Sequence, residues 1–521
     1  MQTRSGVSRI IIILLVLAAS ASASYLPLAH RAYRDIEILR VRGFVVVQAT
    51  TTKPFTRDEI ARGLRLLAVR AGEMSPYTLQ IYRRLTNEFA RDAHQEMQWW
   101  VRTDVNPRVI SQTNPMRIDQ PRVFRVPATE LVPGDRVRSI NTLDAAVQVT
   151  PNVSVAYRME IDTDGLADNN LNAGQKTYRF GSTGYVDQAY VMWENDRFAL
   201  AFGRMPMVWG PGREGNLAMS ENAPNLDMLL GRVYYKWFTF TGFTGQLISQ
   251  RIEDGAIANR YLAGHRLVVT PWKWIEIGVS ETVIYAGPDR GLSLRWSNPM
   301  LPYLAEEVNS RDIYDNNLYA SGDITVRPIP GVESYVEFLI DDIALDGKSP
   351  HRIGWTFGSR WESPFGFDRM GLGAEYTRIT RWVYNYALSE QRFANNGSIL
   401  GHFLGPDGDM LAVRADWETP GAWLVRLAVS HRRRGETRFT SKFPVDISGE
   451  NFGYSSDPFP YGTVETTTTA DVIVQTPRYC GASLLAAGIF RTVKNANNVA
   501  TGRTWDAGFR LELDWHLTLV R

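Results

Sequence analysis

One cysteine, Cys480, is all that this chain of 521 residues carries. A lone thiol can neither close a disulfide within the chain nor build a zinc or iron–sulfur ligand set. Stability must therefore come from hydrogen bonding and burial. Charge of one sign is missing as well. The 57 basic and 55 acidic residues leave a formal net charge of +2, which gives neither a nucleic-acid footprint nor a trap for acidic ligands. Lysine is scarce, at seven residues, so arginine supplies the cations. That bias suits fixed Arg–carboxylate pairs, although a GC-rich genome would also produce it. Catalytic signatures are lacking too. The seven histidines (30, 94, 265, 351, 402, 431 and 516) are dispersed, and no H-E-x-x-H, G-x-S-x-G, Walker loop or paired-cysteine motif occurs. The chain reads as a non-enzyme without metal site or cofactor.

No apolar run is long enough to span a bilayer as a helix, which takes roughly 20 residues. The one candidate, Ile10 to Ala19, follows Arg4 and Arg9 and precedes Ser20-Ala21-Ser22-Ala23-Ser24. A basic start, a short apolar core and A-x-A-like sites read as a secretory signal peptide over residues 1–23. Residues 24–101 read as a helical periplasmic region. Tyr33, Ile36 and Leu39 share a helix face that ends at Gly43. Thr56 with Glu59 forms a capping box for a helix to about Arg70. Ser75-Pro76 opens a third helix with Tyr77, Ile81, Leu85 and Phe89 on one face. Residues 102–139, rich in Pro and Arg, read as an irregular connector.

From Ile140 the apolar period changes from 3.6 to 2. Val332, Val336, Phe338 and Ile340 alternate with Glu333, Tyr335, Glu337 and Asp341, and Phe509, Leu511 and Leu513 alternate with Arg510, Glu512 and Asp514. Such strands of about nine to twelve residues match a tilted membrane-spanning strand. Short and long connections alternate strictly along 140–521, as periplasmic turns and extracellular loops do. Trp193, Trp237, Trp272, Trp274, Trp361, Trp417 and Trp423 flank the short turns, seven of the 15 tryptophans. Amphipathic rings belong at a membrane interface. The expected fold is an all-β outer-membrane barrel of 16–18 antiparallel strands, leaning to 18, behind the helical region.

Three clusters are candidate sites. The loop 205–228 holds Trp209, Arg213, Glu221 and Asn222. Aromatic faces stack on sugars, while Arg, Asn and carboxylates bond hydroxyls or acidic groups. The plainer reading of this Gly/Pro-rich loop is a plug folded into the lumen, and the two roles can coexist. Arg432-Arg433-Arg434 can contact anionic polysaccharide or phosphate, or simply form a solvated basic edge. Asp162 to Asn169 offers hard oxygens to calcium but lacks the EF-hand pattern, so it reads as an exposed acidic loop.

The stretch Gly203-Arg204-Met205-Pro206, Trp209-Gly210-Pro211-Gly212, then Leu217, Ser220 and Asn222-Ala223-Pro224 resembles the Wzi-type capsule assembly family. His265-Arg266-Leu267, Asp315-Asn316-Asn317 with Asp323, Glu337-Phe338 with Asp341, and Gly401-His402 with Leu404-Gly405-Pro406-Asp407 are similar to the same family in the same order. The resemblance implies a lectin-like outer-membrane barrel of Gram-negative cells. Such a barrel helps hold capsular or extracellular polysaccharide, with outer-membrane lipid around it. Residues 25–101 also resemble S-layer homology modules, which raises peptidoglycan as their contact. A porin-like diffusion channel is the alternative, since a barrel this wide can hold water.

Overall fold

The computed structural model describes residues 25–89, 100–113, 136–150, 152–162, 183–309, 316–343, 351–443 and 458–520. The expected signal peptide, the acidic stretch after Asp162 and residues 444–457 lie outside them.

Among the described residues, eighteen antiparallel strands close a barrel. The ring runs from Trp100–Thr113 through to Arg503–Trp515. The last strand breaks at His516 and resumes as Leu517–Val520, and both pieces pair with Trp100–Thr113. The period-2 pattern explains the wall. Glu333, Tyr335, Glu337 and Asp341 are buried toward the lumen, whereas Val336 and Phe338 are exposed on the outside. Polar-in and apolar-out is the reverse of a soluble protein and is what lipid demands of a closed sheet. The seven tryptophans beside the short turns are all exposed on the outer surface. No described helix is long and apolar enough to cross a membrane.

The barrel begins earlier than its sequence suggests. Strands Trp100–Thr113 and Arg136–Thr150 occupy both ends of the expected 102–139 connector. The signal fails there because Pro107 sits inside the first strand, in register with Asn141. Arg102, Asp104, Asn106 and Arg108 leave it only sparse apolar punctuation. Proline normally argues against a strand interior. Residues 252–256, one of the long-loop-side connections, form only a short hairpin turn between Phe238–Arg251 and Ile257–Trp272.

Ahead of the barrel, α1 (Ala32–Val41), α2 (Arg57–Leu67) and α3 (Pro76–Phe89) share a core that includes Ile36, Leu39, Ile60, Ile81 and Leu85. Thr56 caps α2 by accepting the Glu59 N–H at 3.1 Å, and the helix tightens to 3₁₀ over Ala68–Glu73. The module covers the short-turn mouth of the barrel. Glu418 accepts from Arg31, Arg34 and Arg84, each at 2.9 Å, and from the Tyr77 hydroxyl at 3.1 Å. Arg42 donates to Asp368 at 2.6 Å, and the Gly331 N–H donates to the Val41 carbonyl. Four donors on one buried carboxylate fix orientation as well as attachment.

Candidate functional site

The lumen is entered from both ends. Residues 206–225 fold inward from the long-loop end, and the segment between α1 and α2 rises to meet them. Thr52–Lys53 pairs antiparallel with Val208–Trp209. The Gly210 N–H donates to Thr51 O and the Trp209 N–H to Met219 O, both at 2.9 Å. Loop 380–407 packs on top, its Tyr384 hydroxyl donating to Leu217 O at 2.8 Å.

Irregular backbone buried in a barrel needs partners for its polar groups, and the wall supplies them. Glu337 accepts the N–H groups of Leu217 and Ala218 at 2.9 and 3.0 Å. Glu375 accepts those of Arg213 at 2.8 Å and Glu214 at 3.2 Å. Glu276 accepts the Thr51 N–H at 2.8 Å, and Asp341 that of Tyr384 at 2.8 Å. Arginines serve the carbonyls. Arg260 donates to the backbone oxygens of Glu390, Arg392 and Ala394. Arg266 holds Thr51 and Thr52 while pairing with Asp323 at 2.7 Å. Residues that carried the family resemblance (Arg266, Asp323, Glu337 and Asp341) thus fasten the insertions. His402 is buried among them, and burial pushes its imidazole down to about 3.

The glycines of Trp209-Gly210-Pro211-Gly212 have a steric reason. Gly210 has φ +125°, and a Cβ there would lie 2.7 Å from the Glu337 carboxylate. A Cβ on Gly212 would meet Gly215 O at 1.9 Å. Only glycine permits that approach.

The structure separates the sequence candidates. Trp209 is fully buried with its ring 5.4 Å from Phe243, edge-on; no sugar reaches it. Arg213 turns its guanidinium to Glu37 of α1. Burial alone would raise the Glu37 carboxyl, yet Arg213, Arg360 and Arg40 together hold it down at about 2. Arg213, Glu221 and Asn222 line a cavity, with the Asn222 amide anchored to Ile399 O at 2.9 Å. Arg432, Arg433 and Arg434 do not converge. Strand alternation turns Arg432 and Arg434 toward Glu465, at 3.5 and 4.0 Å, and Arg433 to the opposite face beside Asp409. A run of three identical charges on a strand cannot form one patch.

The cavity is the feature that sequence reasoning missed. It measures about 1070 Å³ and lies between the helical module, the inserted loop and the wall strands that flank the barrel's closure. Tyr25, Tyr33 and Tyr190 line its floor; Gln188, Glu221 and Asn225 are among its polar groups. Its wall charges pair with each other. Arg158 bridges Asp144 at 3.0 Å and Asp187 at 3.4 Å, and Arg426 donates to Asp416 at 2.7 Å. Carboxylates, amides, guanidiniums and tyrosine rings around an open volume are the groups that bind sugar hydroxyls and rings. Its lining comes from strands far apart in sequence, so no linear motif signals it.

Known proteins share this architecture. The family model described as "Capsule assembly protein Wzi" matches residues 134–504. An uncharacterised 55.8 kDa protein in the cps region of Klebsiella pneumoniae is 24% identical over 282 residues, 50% of this chain and 55% of that protein. The chain thus spans about half the length of this curated relative. Among solved structures, the fold is similar to Escherichia coli Wzi, an outer-membrane protein involved in group 1 capsule assembly and described as a carbohydrate-binding β-barrel. That likeness has a TM-score of 0.63 at 16% identity and covers 95% of this chain and 99% of the other; it is one of fold.

Proposed function

Because the chain belongs to the Wzi capsule assembly family, we propose that it is a non-enzymatic outer-membrane barrel that binds surface polysaccharide and holds capsule on the cell. The observation that carries this reading is the division of the lumen. One flank is filled by fastened backbone, and the other keeps a cavity of about 1070 Å³ lined by sugar-binding chemistry. Arg213, Glu221, Asn222, Gln188 and Asn225 are the proposed contacts, with the half-buried Tyr33 ring as the face for a sugar ring. Trp209 and Arg432 to Arg434 serve structure in this reading.

Deleting the gene and comparing cell-bound with shed polysaccharide tests the proposal. Loss of surface retention, restored by the full chain but not by a Gln188→Ala/Glu221→Ala chain, is the expected result. Unchanged retention in the deletion strain would overturn it.

A further inference from the structure

On the outside of the barrel, away from the cavity, residues 288–309 fold down over the wall instead of standing above it. The chain leaves Ile275–Gly287 at the long-loop rim. Arg290 lies beside Tyr285 near the rim, with its carbonyl accepting from Asn259 at 3.1 Å. Further down, Ser297 donates to Thr244 at 3.3 Å, and Pro299 packs so closely on Gly242 that a Cβ there would sit 2.6 Å away. Helix Tyr303–Asn309 then climbs back toward Asn317–Ile329.

Strand register sets the depth. Gly242 is four residues from Phe238, which begins its strand beside the girdle residue Trp237. At ~3.3 Å per residue and ~40° of tilt, the lobe tip lies about 10 Å into an apolar band roughly 25 Å tall. The lobe therefore sits at lipid depth.

Its polarity is inverted to match. Leu292, Leu294, Met300 and Leu304 face outward, 52–84% exposed, while Trp296 and Tyr303 are buried against the wall. Several polar groups turn in, and the half-exposed Arg295 is paired with Glu306 at 3.2 Å. His265 and Glu281 occupy outward-facing strand positions that would otherwise meet lipid, and they lie 3.0 Å apart beneath the lobe. Glu281 accepts the N–H of Tyr303 at 2.7 Å, whose ring lies 4.5 Å from the His265 ring. Within the lobe the Tyr303 hydroxyl donates to Trp296 O, Ser297 donates to Ser293 O, and the Met300 N–H donates to Asn298 Oδ1. Irregular backbone survives at membrane depth only when such partners are supplied by protein.

We infer that residues 288–309 form a lateral lobe whose outer face binds the acyl chains of surrounding lipid, clasped to the barrel by His265 and Glu281. The exposed leucines continue the apolar surface that neighbouring Val279 and Ile324 present to the same lipid.

Bimane-labelled Met300→Cys and, separately, Leu294→Cys test this in the full chain carrying Cys480→Ser, reconstituted in phosphatidylcholine vesicles. Both sites are exposed, so at least one variant should retain the heat-shifted gel mobility of a folded barrel. Brominated acyl chains should quench either label several-fold while aqueous iodide leaves it bright; Asp289→Cys, at the rim, should show the reverse. Glu281→Gln should move the Met300→Cys label toward iodide sensitivity. Iodide quenching of Met300→Cys at the level of Asp289→Cys, without bromolipid quenching, would overturn the inference. So would protection from both quenchers, which would mean that a second protein copy covers the lobe.

Discussion

On one flank of the lumen, Glu276, Glu337 and Glu375 spend their oxygens on the backbone of inserted segments. On the other, Asp144 and Asp416 pair with the arginines of their own wall and line the cavity. Both flanks carry inward carboxylates at the same strand period. What differs is the partner. A carboxylate that answers a buried amide cannot leave without stranding that amide, whereas a wall ion pair that lines the cavity keeps both charges within reach of a ligand entering it. Plug and pocket are thus two uses of one side-chain set.

The largest break in this contrast should come from Glu337→Ala/Glu375→Ala. It strips acceptors from the amides of Leu217, Ala218, Arg213 and Glu214, at ~1–3 kcal/mol for each group left unsatisfied. Protease cleavage within 206–225 is the expected readout, and Asp144→Ala on the opposite flank should leave that loop resistant. Trp209→Ala should follow, costing ~3–5 kcal/mol through the void it leaves beside Phe243, read as a lowered melting temperature of the inserted segments. Acid gives the third test. Glu37 is held at about 2 against its ordinary 4.5, despite burial, by Arg213, Arg360 and Arg40. A depressed carboxyl stabilises the docked module above its ordinary range and loses that contribution as pH falls toward 2. Melting of the wild type should therefore drop between about pH 4.5 and 2, more steeply than that of Glu37→Gln. The smallest effect belongs to Arg433→Ala. Its partner Asp409 is on a rim where Arg433 stays 43% exposed, so the change should be within ~1 kcal/mol by chemical denaturation.

Strands and girdle were legible because lipid imposes a strict rule, apolar outward at every second residue, and Val336 and Phe338 obey it. The first strand was hidden where Pro107 and alternating charges blurred that rule. Inside the barrel the rule ends. Glu337 and Asp144 look alike in sequence, since a period of two says which way a side chain points but not whether inserted backbone or the cavity awaits it. Trp209 invited a sugar-stacking role. The better clue lay in its neighbours Gly210 and Gly212, whose missing Cβ atoms signal close backbone approach. Residues 288–309 gave no periodic signal, and their inverted polarity shows only against the folded wall.

Binding of polysaccharide purified from the same cells to the immobilised full-length barrel tests the division of the lumen most directly. Compared on chains that keep heat-shifted mobility, Gln188→Ala/Glu221→Ala should weaken binding about tenfold or more, ~1.4 kcal/mol, while Trp209→Ala binds as the wild type does. Loss of binding in Trp209→Ala with full binding in the cavity variant would contradict the account.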